Sequence, residues 1–315
     1  MALMLVAGGD AVHLNEPLNR RHPPGLSPGI LRVPAPRSYQ YIGAHNDAEY
    51  GPGFRDMLRL HYHVGSELRA NQAPYDLAKM AKYLSTFTVG RMRGSRPILD
   101  DPYCVFASRW LADKHGCRVV YLVRHPAGIL SSLKRIGTRW SDNLPDIAAQ
   151  PELNKAYLSQ FSDDIDRTLA EPFDVFAHGC LLYRLIHSAI AQDAERHPDA
   201  IVVRYEDLAE RPVEGFRDLY QKLGMNFSKD AETAIRTATS PQDSSRSNPW
   251  GRVGLSRTAF QPMDSRANAW AWRKRLTIEE QETVIERTAD VARLFYSDSE
   301  LSTQTQESGD ISRNS

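Results

Sequence analysis

Residues 117–135 constrain this chain more than any other stretch, because they join an apolar strand to a helix through an arginine. Val119, Val120, Tyr121, Leu122 and Val123 form a short, β-branched run that suits a parallel strand covered on both faces. Arg124 ends the strand. Pro126 fits a first helical turn, where its missing N–H is not needed, and Ile129, Leu130 and Leu133 recur at helical spacing. The junction therefore sets a guanidinium beside the positive end of a helix, an arrangement suited to a phosphate-like anion, and Ser132 adds a hydroxyl. The plainer alternative is that Arg124 ends the strand in a salt bridge and Ser132 lies on a helix surface.

The 315 residues suffice for one large α/β domain. Thirty-nine basic residues balance thirty-nine acidic ones, so no global field points to nucleic acid or an anionic membrane surface, and a small partner is expected. Cys104, Cys117 and Cys180 are too few and too far apart for a disulfide framework or a zinc knuckle. His178, His187 and His197 are not at metal-ligand spacing with carboxylates or cysteines, so no metal is expected. Residues 1–7 are apolar but lack a basic leader and soon meet Gly8-Gly9-Asp10. They resemble neither a signal peptide nor a membrane span, and a cytoplasmic protein is expected.

Along the chain, residues 3–7 read as the tail of a helix and residues 11–14 as a strand followed by Glu16-Pro17. Residues 17–53 read as an irregular excursion with Arg20, Arg21 and Arg37. Helical periodicity over 54–70 and 74–88 predicts a cap, and residues 90–96 form a basic loop before a strand over 97–99 and Asp100-Asp101-Pro102. A partly helical lid is predicted over 139–172, a wide-striped helix over 173–196 and a strand over 200–204. A helix over 229–238 precedes a polar loop containing Arg246, Arg252 and Arg257. Thr277 and Glu280 form a capping box for a last helix ending near Tyr296. Residues 297–315 have the composition of a disordered tail.

Two motifs carry a resemblance. One is Arg124 followed by Pro126 and, eight residues on, Ser132. The other is Arg204-Tyr205-Glu206-Asp207-Leu208 followed by Pro212 and Lys222-Leu223-Gly224. With Glu16-Pro17, Asp101-Pro102 and Trp272 to Leu276-Thr277 in the same order, the chain resembles the sulfotransferases that use 3′-phosphoadenosine 5′-phosphosulfate, in their bacterial and carbohydrate branches. The resemblance implies one domain over 1–296 with a three-layer, P-loop-kinase-like α/β fold around a small central parallel sheet. It also implies sulfonate transfer to a hydroxyl or amine of a small-molecule or carbohydrate acceptor. Carried over residue by residue, Arg124 and Ser132 bind the donor's 3′-phosphate, Tyr205 packs on the adenine and Arg257 closes over the phosphate. Glu16 is the base, its alternative role being a turn before Pro17.

The departures are equally specific. Asp100 stands where the family often has Lys. The phosphate loop, typically Lys or Arg followed by Ser-Gly-Thr-Thr, is absent, and Gly8-Gly9-Asp10 is a poor substitute. A start truncated upstream is expected, with genuine loss of the loop as the alternative, and with either the 315 residues should transfer sulfonate poorly. A non-catalytic nucleotide-binding protein is the competing reading. A metabolite kinase of the same fold explains the sheet but not Arg124 with Ser132.

Overall fold

The computed structural model describes residues 1–20, 35–137, 143–239 and 264–302. The four strands among the described residues form two parallel pairs. β1 (Ala11–Asn15) lies beside β2 (Arg96–Asp100), in register from Ala11 opposite Arg96 to Asn15 opposite Asp100. β3 (Val120–Val123) lies beside β4 (Ile201–Arg204), from Val120 opposite Ile201 to Val123 opposite Arg204. Among the described residues no strand joins the pairs, so the single sheet predicted from the sequence is present as two separate halves.

The first half is dressed by α1 (Ala2–Leu5), α2 (Asp47–Leu58), α3 (Val64–Ala70) and α4 (Pro74–Met92). The helix predicted over 54–70 is broken, because Leu60 takes the left-handed conformation at φ 54, which an α-helix does not admit. Conversely, α2 starts inside the stretch predicted to be irregular. Gly51-Pro52-Gly53 reads as a breaker, but Tyr50, Phe54 and Met57 bury one face, and that packing overrides local propensity. The basic loop shrinks to a turn at Gly94 (φ 64). Arg96 donates to the carbonyls of Leu223 (2.6 Å) and Gly224 (3.5 Å) rather than facing a ligand.

After a 3₁₀ turn at Pro102–Ala107, α5 (Ser108–His115) stops at Gly116, whose φ of 64 suits the left-handed residue that closes a helix. β3 then leads into α6 (Pro126–Ile136). The lid predicted over 139–172 is corrected in its described part. α7 (Leu144–Ala148), the turns of residues 151–161 and α8 (Ser162–Ala170) carry Leu144, Ile147, Leu153 and Leu158, all at 0% exposure in the main core. Their apolar side chains are core material, and burying them is worth more than any mobile role would allow.

The second half is a three-layer unit. α9 (Val175–Arg196) covers one face of β3 and β4, where Tyr121, Val123 and Ile190 pack together. α10 (Tyr205–Glu210) follows β4 directly, and α11 (Pro212–Lys222) covers the other face, where Phe216 and Leu219 meet Val120, Ile201 and Val203. Alternation of side chains along each strand produces this division. Leu122 departs from the two-sided burial predicted for β3, being 38% exposed. Ile98 of β2 packs on the same cluster, so both halves rest on one apolar body. α9 approaches α6 closely at Gly179, where a Cβ would lie 2.5 Å from Leu130 Cδ1.

α12 (Lys229–Thr239) packs beside α11, and α13 (Ser265–Ala269), α14 (Trp272–Arg275) and α15 (Ile278–Ala292) follow in the described C-terminal part. The predicted capping box is present, with Glu280 N donating to Thr277 Oγ1 at 3.2 Å and Thr277 N to Glu280 Oε2 at 2.9 Å. The boundary at residue 296 is corrected. Ser297 caps a further turn, α16 (Asp298–Leu301), and Leu301 is 3% exposed in the main core, an apolar anchor that a polar composition hides. No helix among the described residues is long and apolar enough to cross a membrane.

Candidate active site

Val123 and Arg204 are register partners, so the next residues, Arg124 and Tyr205, leave adjacent strands side by side. The Arg124 guanidinium lies over the Tyr205 ring, 4.6 Å from its centroid, as a cation–π contact. Nη1 donates to Ser132 Oγ at 3.5 Å and Nη2 to the main-chain oxygen of Asn268 at 3.4 Å. Asn268 in turn donates its Nδ2–H to the Tyr205 hydroxyl at 2.9 Å. Arg124, Ser132 and Tyr205, singled out from separate motifs, are thus gathered at one point. Both guanidinium bonds are long, and Nε is buried without a partner among the described residues. A group with five donors used this sparingly has capacity for an anion.

Gly128 makes room for that guanidinium, since a Cβ there would lie 2.9 Å from Arg124 Nε and 3.5 Å from Cζ. Gly128→Ala is expected to keep the helix, Ala being the better helix former, while pushing the guanidinium aside. Calorimetric titration should find phosphate-ligand affinity reduced about tenfold, or ~1.4 kcal/mol.

At the N-terminal end of α6 the cap residue His125 is fixed by a buried carboxylate. His125 N–H donates to Glu206 Oε1 at 3.0 Å, and the Tyr296 hydroxyl donates to Glu206 Oε2 at 2.9 Å. Glu206, 3% exposed, needs such donors because a buried carboxylate without them is strongly disfavoured. The His125 ring stacks on Trp272 with centroids 4.5 Å apart and an interplanar angle of 7°. Burial pulls its pKa down to about 4, so the ring is neutral near pH 7.

Glu16 lies on the other half. It follows β1 as Asp101 follows β2, so their carboxyls leave neighbouring strands. Glu16 holds φ 45, uncommon for a residue with a side chain. Its N–H donates to Asp100 O at 2.8 Å, and Asn19 Nδ2 donates to Glu16 Oε2 at 2.6 Å. Asp101 accepts the N–H groups of Leu18 (2.6 Å) and Tyr103 (2.8 Å). Burial raises the Asp101 pKa to about 7, the two amides oppose this, and the charges of Glu16 and Asp100 add to it. Asp100 pairs with His13 at 3.1 Å. Arg20 is engaged with Asp146 at 2.8 Å, whereas Arg21 and the predicted phosphate residue Arg257 lie outside the described residues.

Residues 107–294 match the family model of the sulfotransferase domain, more than half of the 315 residues. The chain belongs to the sulfotransferase family. No curated protein and no solved structure matches it. In this sulfotransferase Arg124, Ser132, Tyr205, Glu206, Asn268 and Trp272 fall inside the matched segment, and Glu16 and α16 fall outside it. Sulfonate transfer is the family's general chemistry, and its usual donor is 3′-phosphoadenosine 5′-phosphosulfate. Among the described residues no three His, Cys, Asp or Glu side chains gather in a way that could hold a metal ion.

Gly128 and Asn268 are site residues that sequence reasoning missed. A glycine inside the first turn of an otherwise apolar helix is a signal of close approach, here by Arg124. Asn268 had no periodic or motif signal to mark it.

Proposed function

We propose that this sulfotransferase binds 3′-phosphoadenosine 5′-phosphosulfate at the carboxyl ends of β3 and β4 and passes its sulfonate to a hydroxyl or amine of a small-molecule or carbohydrate acceptor. The observation that carries this reading is the Arg124 guanidinium, set against Ser132 and Tyr205 with its two hydrogen bonds among the described residues long, at 3.5 and 3.4 Å. Arg124 and Ser132 take the 3′-phosphate by charge-assisted hydrogen bonds. Arg124 covers one face of Tyr205, and the adenine stacks on the other. Arg257, outside the described residues, is read as adding a further charge.

Glu16 is the base. The acceptor oxygen forms a bond to sulfur as the bond from sulfur to the 5′-phosphate oxygen breaks, adenosine 3′,5′-bisphosphate leaves, and the acceptor's proton passes to the Glu16 carboxylate. Its left-handed backbone and the 2.6 Å bond from Asn19 support this role, because strained conformations persist where the surroundings enforce them for a purpose. The two strand pairs are read as the flanks of one P-loop-kinase-like sheet, supported by the apolar cluster they share.

These 315 residues contain no Lys-Ser-Gly-Thr-Thr sequence to meet charge developing on the leaving oxygen. Turnover is therefore expected to be slow, by about 10²- to 10³-fold for one such missing contact. The same absence favours the second reading, a protein that binds the nucleotide without transfer. Release of adenosine 3′,5′-bisphosphate from the donor, followed over a panel of hydroxyl and amine acceptors, separates the two. Glu16→Gln is expected to lower that release by about 100-fold or more with nucleotide affinity unchanged. Full release by Glu16→Gln removes Glu16 as the base, and no release by a chain that binds the nucleotide favours the non-catalytic reading.

A further inference from the structure

We infer that Glu300, which lies beyond the matched segment, is a positioning residue for the nucleotide site, because it holds the chain neighbours of both Arg124 and Tyr205. Its carboxylate is paired with Arg204, the residue before Tyr205. Its main-chain oxygen accepts the Nε2–H of His125, the residue after Arg124, at 3.3 Å. The two strand-to-helix junctions that present the site are therefore tied to one residue from the far end of the chain.

Glu300 is itself held in place. Ser297 donates its N–H and hydroxyl to Glu300 Oε2 at 2.9 and 2.8 Å, and Leu301 anchors the turn in the main core. A four-residue helix has no stability of its own, so α16 stays where these contacts put it. Arg204 is braced from other sides by Asp207 at 3.4 Å, by the Phe295 carbonyl at 3.5 Å and by the Tyr296 ring at 4.7 Å. Tyr296 also holds Glu206, which grips the His125 N–H, so a single body of contacts spans both junctions. Burial pushes the Glu300 pKa upward, but the bonds from Arg204 and Ser297 pull it down to about 2, so the carboxylate is charged at any working pH.

The Arg204 and Glu300 side chains are 25% and 32% exposed. A partly exposed pair contributes only about 0–1 kcal/mol to global stability. Loss of Glu300 should therefore loosen the junctions more than it unfolds the protein. The consequence is specific to a ligand that needs Arg124 in place.

This inference rests on the nucleotide reading above, and its test separates the two. Calorimetric titrations of the full chain with adenosine 3′,5′-bisphosphate and with adenosine 5′-monophosphate give the preference conferred by the 3′-phosphate. Glu300→Ala is expected to lower that preference about fivefold, with Tm within about 3 °C of the unaltered chain. Glu300→Gln, which keeps one acceptor for Arg204, recovers part of it and serves the same comparison should the Ala variant fail to fold. An undiminished preference in these variants overturns the positioning role. So does an equal loss for both nucleotides, the mark of general loosening. An unaltered chain with no preference overturns the nucleotide reading itself.

Discussion

Arg124→Ala is expected to abolish measurable binding of adenosine 3′,5′-bisphosphate while leaving the protein folded. The guanidinium's own contacts are slight, two hydrogen bonds of 3.4 and 3.5 Å and the face of Tyr205, so little holds the fold through it. A bound phosphate would receive two or more charge-assisted hydrogen bonds from the same group, each worth about 1.5–3 kcal/mol. Their loss amounts to about 100-fold or more in affinity. Arg124→Lys should recover little, because a point charge on a flexible stem cannot reproduce a planar fork lying on an aromatic ring. Calorimetry reads the affinity and a thermal scan checks the fold; an Arg124→Ala chain that binds as tightly as the unaltered one places the nucleotide elsewhere.

Trp272→Ala is expected to have the largest effect on stability. The side chain is 1% exposed, stacks on His125 and packs with Ala127, Leu130, Cys180, Leu276 and Val284, so it joins α6, α9, α14 and α15. Truncating a buried tryptophan costs about 3–5 kcal/mol, and its removal also frees the residue next to Arg124. At roughly 2–4 °C per kcal/mol for a domain of this class, Tm should fall by about 10 °C. Trp272→Phe should restore most of this by refilling the space. A loss under about 1 kcal/mol in urea unfolding means that the cluster collapses around the gap and that His125 is held by Glu206, Tyr296 and Glu300 without the tryptophan.

Local signals carried much of the site. The strand, Arg124 and helix junction, the placement of Tyr205 at the end of β4 and the capping box at Thr277 follow from periodicity and short spacing, and the structure has each of them. What local pattern cannot express is pairing across the chain. Glu206 meets His125 from 81 residues away, Asn268 meets Tyr205 from 63 and Glu300 meets Arg204 from 96. Glu206 opens α10, and its partners, the His125 N–H and the Tyr296 hydroxyl, leave no trace in local spacing. α2 was hidden by Gly51-Pro52-Gly53, and α16 by a polar segment whose one anchor is Leu301. The left-handed backbone of Glu16 had no glycine or asparagine to announce it.

Titration calorimetry on the unaltered 315-residue chain, with adenosine 3′,5′-bisphosphate and then adenosine 5′-monophosphate, tests the nucleotide site most directly. Binding in the micromolar range, about tenfold or more tighter for the 3′-phosphorylated nucleotide, is the result that Arg124, Ser132 and Tyr205 predict. A folded chain that binds neither nucleotide, or binds both alike, contradicts it.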